Sequence, residues 1–299
     1  MRVVIVHNAG AGESEHDPES LVRLIRGAGH EVAYFSSRDA AWKAAVDNRT
    51  ELVAVAGGDG TVAEVGIAMA GRQVPIAVLP LGTANNIARA VGQADGSFED
   101  LVADWAAGRP QRFDIGVARG PWGTFRFLES VGAGLLADSM AAINEGKADH
   151  IAQTKGAAGR MAEARGLFDR LLSRMAAMPF GVSVDGHDRS GEYLLLEVLN
   201  FGASGPNLRL APDALAFDGL LDVVLVDAHH RRDLADHLSS SPQVPALPVY
   251  RGRQVRLSCD RCTLHLDDEV WARQRPGEDP IVVELSIEPQ ALTFLVPPA

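Results

Sequence analysis

Cysteine is scarce. The chain has two in 299 residues, Cys259 and Cys262. Two thiols cannot make a disulfide framework, and a single C-x-x-C is at most half of a zinc site. The pair sits between the alternating runs Val255–Leu257 and Leu264–Leu266. That context predicts a β-turn joining two strands of a hairpin, with metal or redox chemistry as the lesser alternative. Long apolar runs are also missing. No stretch of about 18 apolar residues occurs, which excludes a spanning helix. Positive charge is short as well, with 28 Lys and Arg against 39 Asp and Glu for a net charge of −11. A nucleic-acid binder carries a basic stripe, so no nucleic-acid partner is expected. Global attraction to an anionic membrane is disfavoured on the same ground, although local basic patches stay open. The first residues, Met1-Arg2-Val3-Val4-Ile5-Val6, enter a strand-like run without a signal-peptide pattern, so a cytoplasmic location is expected. Internal repeats and low-complexity segments are absent.

With 46% hydrophobic residues, a chain of this length accommodates two domains with separate cores. Over the first hundred residues strand and helix patterns alternate. Val3–Val6, Val32–Phe35, Leu52–Ala56 and Ile76–Leu79 read as strands. Asp17-Pro18 reads as the entrance of a helix that stops at Gly29. Ala40–Val46, Thr61–Ala70 and Ala84–Val91 read as further helices. Alternation of this kind predicts a mostly parallel sheet covered on both faces, a Rossmann-like three-layer α/β domain over residues 1–111. From residue 112 to 299 strand patterns dominate: Phe113–Ala118, Phe125–Ser130, Val182–Val184, Tyr193–Leu199, Asp222–Val226, Val255–Leu257, Leu264–Leu266, Val282–Ile287 and Leu292–Val296. They predict an antiparallel β-sandwich, interrupted by a helical insert over 135–178.

Two strand–loop–helix units stand out. Gly57-Gly58-Asp59-Gly60-Thr61 follows an apolar strand and opens a helix, the place where an open α/β sheet binds its ligand. Glycine there lets backbone N–H groups approach phosphate oxygens. The acid between the glycines suits Mg²⁺ or a hydroxyl proton, and the plainer alternative is a tight turn with a capping Asp. Leu79-Pro80-Leu81-Gly82-Thr83-Ala84-Asn85-Asn86 repeats the arrangement one strand on, with Thr83 as a helix cap. Two such loops side by side could clamp one nucleotide; the plainer alternative is ordinary loop chemistry. Asp267-Asp268-Glu269 places three acids together after an alternating strand. A solvated turn, a cation site and a carboxyl with a raised pKa all fit that run. Asp218-Gly219 by itself reads as a turn before a strand. In the helical insert Ala164, Leu167, Phe168, Leu171, Leu172 and Met175 form a stripe among Lys155, Arg160, Arg165, Arg170 and Arg174. That helix either touches a membrane surface or an acyl chain, or packs on its own domain.

The GGDGT of residues 57–61 with Glu64 behind it, then the PLGTANNIAR of residues 80–89, resembles the catalytic domain of diacylglycerol kinases, sphingosine kinases and the bacterial lipid kinases similar to them. Leu210-Ala211-Pro212, Asp218-Gly219-Leu220-Leu221-Asp222 and Asp267-Asp268-Glu269 extend the resemblance to nearly the whole chain. It implies an ATP- and Mg²⁺-dependent kinase acting on a lipid hydroxyl; peripheral contact with a membrane surface is left open, as is the oligomeric state, a homodimer included. Asn8, Gly58, Asp59, Gly60, Thr61, Glu64 and Thr83 would line the ATP site. Asp59 and Glu269 would be catalytic. Asp218 would hold Mg²⁺ with the backbone carbonyls of Leu215 and Leu220. The chain departs from the pattern at its opening loop, Asn8-Ala9-Gly10-Ala11-Gly12, which lacks a proline. It departs again at Asn86 and Asp268, where the family commonly has Asp and Gly. GGDGT also occurs in NAD kinases, so an NAD kinase is one alternative, and a nucleotide-binding regulatory protein without catalysis is another.

Overall fold

The structure is a computed structural model that describes residues 1–12, 17–145, 156–238, 245–273 and 279–298. It divides into two units, Met1–Phe113 with Gln290–Ala299, and Asp114–Pro289. The division falls after Phe113, where the sequence pattern places it after residue 111. The expected second domain of 112–299 is corrected at its end, because the last segment of the chain returns to the first unit.

The first unit contains β1 (Arg2–His7), β2 (Glu31–Ser36), β3 (Leu52–Gly57) and β4 (Ile76–Pro80). They lie in the order β4-β3-β1-β2, and all three pairings are parallel. Helices α1 (Pro18–Gly27), α2 (Trp42–Ala45) and α3 (Asp59–Met69) connect them, and α4 (Asn86–Ala90) and α5 (Phe98–Asp104) follow β4. Strand side chains alternate between faces. Val3, Ile5, Leu52, Ala54, Ala77 and Leu79 pack with Leu21 and Ile25 of α1 and Leu101 and Val102 of α5. Val62, Val65 and Met69 of α3, which packs beside β3, are buried too. The expected α1 entrance holds: Asp17 accepts the Ser20 N–H and Pro18 is the first helical residue. Helix α5 was not expected. Ser97 and Asp100 open it with a reciprocal capping box, in a stretch whose apolar spacing is too short for a periodicity argument.

The second unit is an antiparallel β-sandwich. Its strands are β5 (Arg109–Gly120, begun in the first unit), β6 (Gly123–Phe127), β7 (Ser130–Gly134), β8 (Met178–Val184), β9 (His187–Asp188), β10 (Gly191–Tyr193), β11 (Leu195–Leu199), β12 (Leu221–Val226), β13 (Val249–Gly252), β14 (Gln254–Cys259), β15 (Thr263–Leu266), β16 (Glu269–Arg273) and β17 (Ile281–Val296, ending in the first unit). One sheet runs β10-β8-β14-β17, with β5 on β17, β6 on β5 and β9 on β8. The other runs β13-β12-β11-β7-β15-β16. Their facing sides share a core of Phe127, Val182, Leu257 and Val283 from the first sheet and Val131, Val198, Val223 and Leu264 from the second. Helices α6 (Leu135–Asn144), α7 (Ala157–Leu172) and α8 (Arg231–Leu238) cover the other side of the second sheet, where Leu135, Phe168, Leu172 and Leu234 meet Leu195, Leu199 and Val224. The expected insert of 135–178 thus holds α6 and α7, with its residues 146–155, Lys155 among them, outside the described residues.

Three strand expectations are corrected. Phe125–Ser130 is two strands, since the chain leaves β6 in one sheet and enters β7 in the other. Tyr193–Leu199 divides in the same way between β10 and β11. Val282–Ile287 and Leu292–Val296 are one strand, β17, with Gln290 in the left-handed region (φ 53°) where the chain passes between units. The cysteine hairpin is also corrected. β14 and β15 belong to different sheets, and Cys259 and Cys262 form a disulfide across the turn that joins them.

Candidate active site

The first unit gathers a corner at the carboxyl ends of β3 and β4. β3 is buried along its whole length and ends in glycine; the Gly58 backbone is extended and α3 begins at Asp59. The β4 loop lies directly against it. The Leu81 N–H donates to the Gly57 carbonyl at 2.9 Å. Gly58 and Gly82 meet backbone to backbone: a Cβ on Gly82 would stand 2.6 Å from the Gly58 Cα. No side chain fits at Gly82, and a Cβ on Gly58, 3.1 Å from the Gly82 Cα, would have to push the facing backbone aside. A Cβ on Gly57 would likewise stand 2.7 Å from that of Thr61.

Side chains fasten this corner. Asp59, 8% exposed, accepts the Ile87 N–H on Oδ1 at 2.9 Å, so it caps α4 from another loop. Asn85 is the residue before α4, in the left-handed region at φ 52°, and gives no cap to its own helix. Its amide instead closes the loop on itself, accepting the Gly82 N–H and donating to the Gly82 carbonyl, both at 2.9 Å. Asn8, at the end of β1, donates through Nδ2 to Thr61 Oγ1 at 3.1 Å and accepts the Gly10 N–H.

The structure therefore brings together Asn8, Gly58, Asp59 and Thr61 with the Gly82–Asn85 loop. Gly60 is exposed at the second position of α3, and Glu64 is exposed further along the same helix. Thr83 is half-buried in the loop and is not the helix cap; that position is Asn85, and α4 opens at Asn86 rather than Ala84. Local spacing cannot reveal the reason, because the capping carboxylate comes from 28 residues away. Asn86 is buried. The corner offers phosphate oxygens the N-terminus of an 11-residue helix beside backbone free of side chains.

The three C-terminal acids have three different environments. Asp267 is buried and not part of a solvated turn. Its carboxylate accepts the N–H groups of Leu128, Glu129 and Ser130 at 2.7–3.1 Å, tying the β15–β16 turn to the β6–β7 crossover. Burial pushes its carboxyl up to about 6, against the pull of those N–H groups. Asp268 and Glu269 are exposed, Glu269 at the first position of β16. Behind the turn lies a polar pair that the sequence reading missed. His265 and Glu197 are fully buried, with Nε2 2.9 Å from Oε1 and 3.1 Å from Oε2. The other ring nitrogen lies 2.9 Å from the Asp267 carbonyl. Burial lowers the His265 pKa, but the Glu197 carboxylate outweighs it and the net direction is up. A Cβ on Gly132 would fall within 2.1 Å of Glu197, so glycine makes room for the pair.

The expected metal donors have other partners. Asp218 accepts the Leu220 N–H on Oδ1, and its Oδ2 pairs with Arg251. The Leu215 carbonyl accepts the N–H groups of Phe217 and Asp218. Among the described residues no three His, Cys, Asp or Glu side chains gather as a metal cage. A guanidinium stands where the cation was expected, so the residues as arranged do not fit Mg²⁺. The insert helix α7 turns Leu167, Phe168 and Leu172 into its own unit. Its Arg165 donates to the carbonyls of Pro206 and Asn207.

Comparison with known proteins agrees with this architecture. Residues 1–118 match the model of the diacylglycerol kinase catalytic domain, and residues 137–296 match the YegS C-terminal NAD kinase beta sandwich-like domain. A diacylglycerol kinase of Mycobacterium tuberculosis is 25% identical over 292 residues, covering 95% of this chain and 87% of that protein. A "Probable lipid kinase YegS-like" of Pseudomonas putida is 32% identical over 178 residues, 59% of this chain and 56% of that one. Among solved structures, a diacylglycerol kinase from Bacillus anthracis superposes with a TM-score of 0.69 at 16% identity, over 99% of this chain and 97% of that one. Yeast NADH kinase complexed with NADH reaches 0.53 at 11% identity, over 100% and 84%. At these identities the solved structures speak for the fold alone. The two family models, one following the other along nearly the whole chain, place it in the family of diacylglycerol kinases and YegS-like lipid kinases.

Proposed function

We propose that this chain transfers the γ-phosphoryl group of ATP to the hydroxyl of a lipid, diacylglycerol-like or sphingoid. The observation that carries the reading is the glycine corner, where the Gly57–Thr61 and Gly82–Asn85 loops lock at neighbouring strand ends. In this reading Gly58, Gly60, Thr61, Thr83 and Asn8 receive the nucleotide, with Glu64 at the margin. Asp59 has one oxygen committed to the Ile87 N–H, so it holds the corner in shape while its charge acts on the bound nucleotide. Glu269 is exposed, as a base for an incoming hydroxyl must be, and accepts the proton of the acceptor. Catalysis of this kind is mostly positioning and electrostatics. Mg²⁺ enters as the counter-ion of the ATP phosphates, where it would offset their charge; no step is routed through Asp218.

A second reading, in which the acceptor is a nicotinamide dinucleotide, rests on the GGDGT motif and on the match of residues 137–296 to an NAD kinase beta sandwich-like domain. A single experiment separates the two. The purified chain is incubated with γ-labelled ATP and either a total membrane lipid extract or NAD. Label in a chloroform-soluble product identified by mass spectrometry supports the lipid reading. Label only in NADP overturns it, and no transfer to either acceptor leaves the regulatory nucleotide binder.

A further inference from the structure

The turn at residues 218–222 gathers acid around one cation. Asp222 on β12 stands opposite Arg251 on β13 in the antiparallel register. Arg251 Nε lies 3.1 Å from Asp222 Oδ1, and another nitrogen of the same guanidinium pairs with Asp218 Oδ2. The Asp222 side chain is only 4% exposed. Its Oδ2 is buried and has no hydrogen-bond partner among the described residues. A third carboxylate, Asp114, is 1% exposed and accepts the Gly219 N–H on Oδ2 at 2.7 Å, closing the same turn. A buried carboxylate with an unmet oxygen, beside a second acid, calls for a positive charge. A guanidinium supplies one in planar form and cannot lose it by deprotonation. It also stands where a hard cation would need its oxygen shell, and two like charges cannot share the place.

We propose that Arg251 is the resident cation of the Asp218–Asp222 pocket, and that a divalent metal binds there only when Arg251 is removed. Because Arg251 is 42% exposed, its removal opens the carboxylates to solvent rather than sealing a void behind them. The claim concerns binding and does not depend on turnover, so it stands or falls separately from the kinase reading.

The test uses the full chain without nucleotide, titrated with Mn²⁺ and followed by the loss of the free-ion paramagnetic signal. Thermal midpoints are taken in parallel with millimolar Mg²⁺ or with chelator. Wild type and Asp218→Asn are expected to give superimposable Mn²⁺ isotherms. Arg251→Gln is expected to gain one Mn²⁺ site and a midpoint that rises with Mg²⁺, as linkage requires of a ligand bound to the folded state. Adding Asp222→Asn to Arg251→Gln should abolish both gains. A wild-type Mn²⁺ site that Asp218→Asn removes overturns the proposal. So does a folded Arg251→Gln protein with no metal-dependent rise. Should Arg251→Gln fail to fold, the wild-type and Asp218→Asn isotherms alone decide: identity supports the resident cation, and a difference overturns it.

Discussion

Two aspartate–glycine turns in this molecule solve the same electrostatic problem in opposite ways. Asp59, between Gly58 and Gly60, gives a carboxylate oxygen to the backbone N–H of Ile87. Asp218, before Gly219, gives one to the guanidinium of Arg251. The first turn is organised by backbone packed so closely that no Cβ enters. The second is organised by charge, and Gly219, at φ 75°, has no atom within 4 Å of the Cβ it lacks. A corner made of backbone should therefore tolerate no added volume, whereas a turn made of ions should tolerate volume but not a change of charge.

The sharpest break in that comparison is volume. Gly82→Ala forces Gly58 and Gly82 apart, and a shift of about 1 Å at a positioning loop costs roughly 10²-fold in rate. Overpacking there should also cost about 1–3 kcal/mol in denaturant unfolding. Gly219→Ala should show only the left-handed backbone penalty of about 1–2 kcal/mol, with nucleotide affinity unchanged. Charge comes next. Asp59→Asn keeps an oxygen for the Ile87 N–H and removes the charge, so the fold should persist while phosphoryl transfer falls at least ~10²-fold. Asp59→Ala loses the cap as well, and should lower stability by a further ~1 kcal/mol. Near-normal turnover in Asp59→Asn would reduce Asp59 to a cap. In the second unit Glu269→Gln should stop turnover with ATP affinity intact, and Asp268→Gly should be tolerated. The reverse pattern in steady-state assays would move the role by one position.

A smaller effect comes from pH. The folded pKa of His265 is raised above 6.5 by Glu197, so its contribution is fully present below 6.5 and is lost as pH rises through the folded value. Urea unfolding of wild type should weaken as pH climbs above 6.5, and the slope should flatten in His265→Asn. Replacing both cysteines by serine should affect stability alone and leave phosphoryl transfer unchanged. The disulfide closes only a four-residue loop, so the loss should stay near about 2 kcal/mol or below in denaturant titrations.

Much of the first unit was legible in the sequence because parallel strands buried on both faces read as short apolar runs, and Asp17-Pro18 and Gly29 mark a helix locally. The second unit was legible as strands but not as sheets. A period of two says that Phe127 points into a core; it does not say that Ser130, three residues on, has entered the opposite sheet. Site residues divide similarly. The glycines and Asn8 were readable from motif and position. The Asp59 cap on α4, the Arg251 clamp and the Asp267 anchor on Leu128–Ser130 join residues 28, 33 and 139 apart or nearly so, and no local pattern encodes them. Asn85 offered the one available signal, since asparagine is among the few residues at ease at positive φ.

Equilibrium binding of a fluorescent ATP analogue to wild type, Gly82→Ala and Asp218→Asn tests the central claim most directly. The account predicts that Gly82→Ala loses at least ~10-fold in affinity, a difference of about 1.4 kcal/mol, while Asp218→Asn binds as wild type does. Equal affinity in wild type and Gly82→Ala, or a loss confined to Asp218→Asn, would contradict the placement of the nucleotide at the glycine corner.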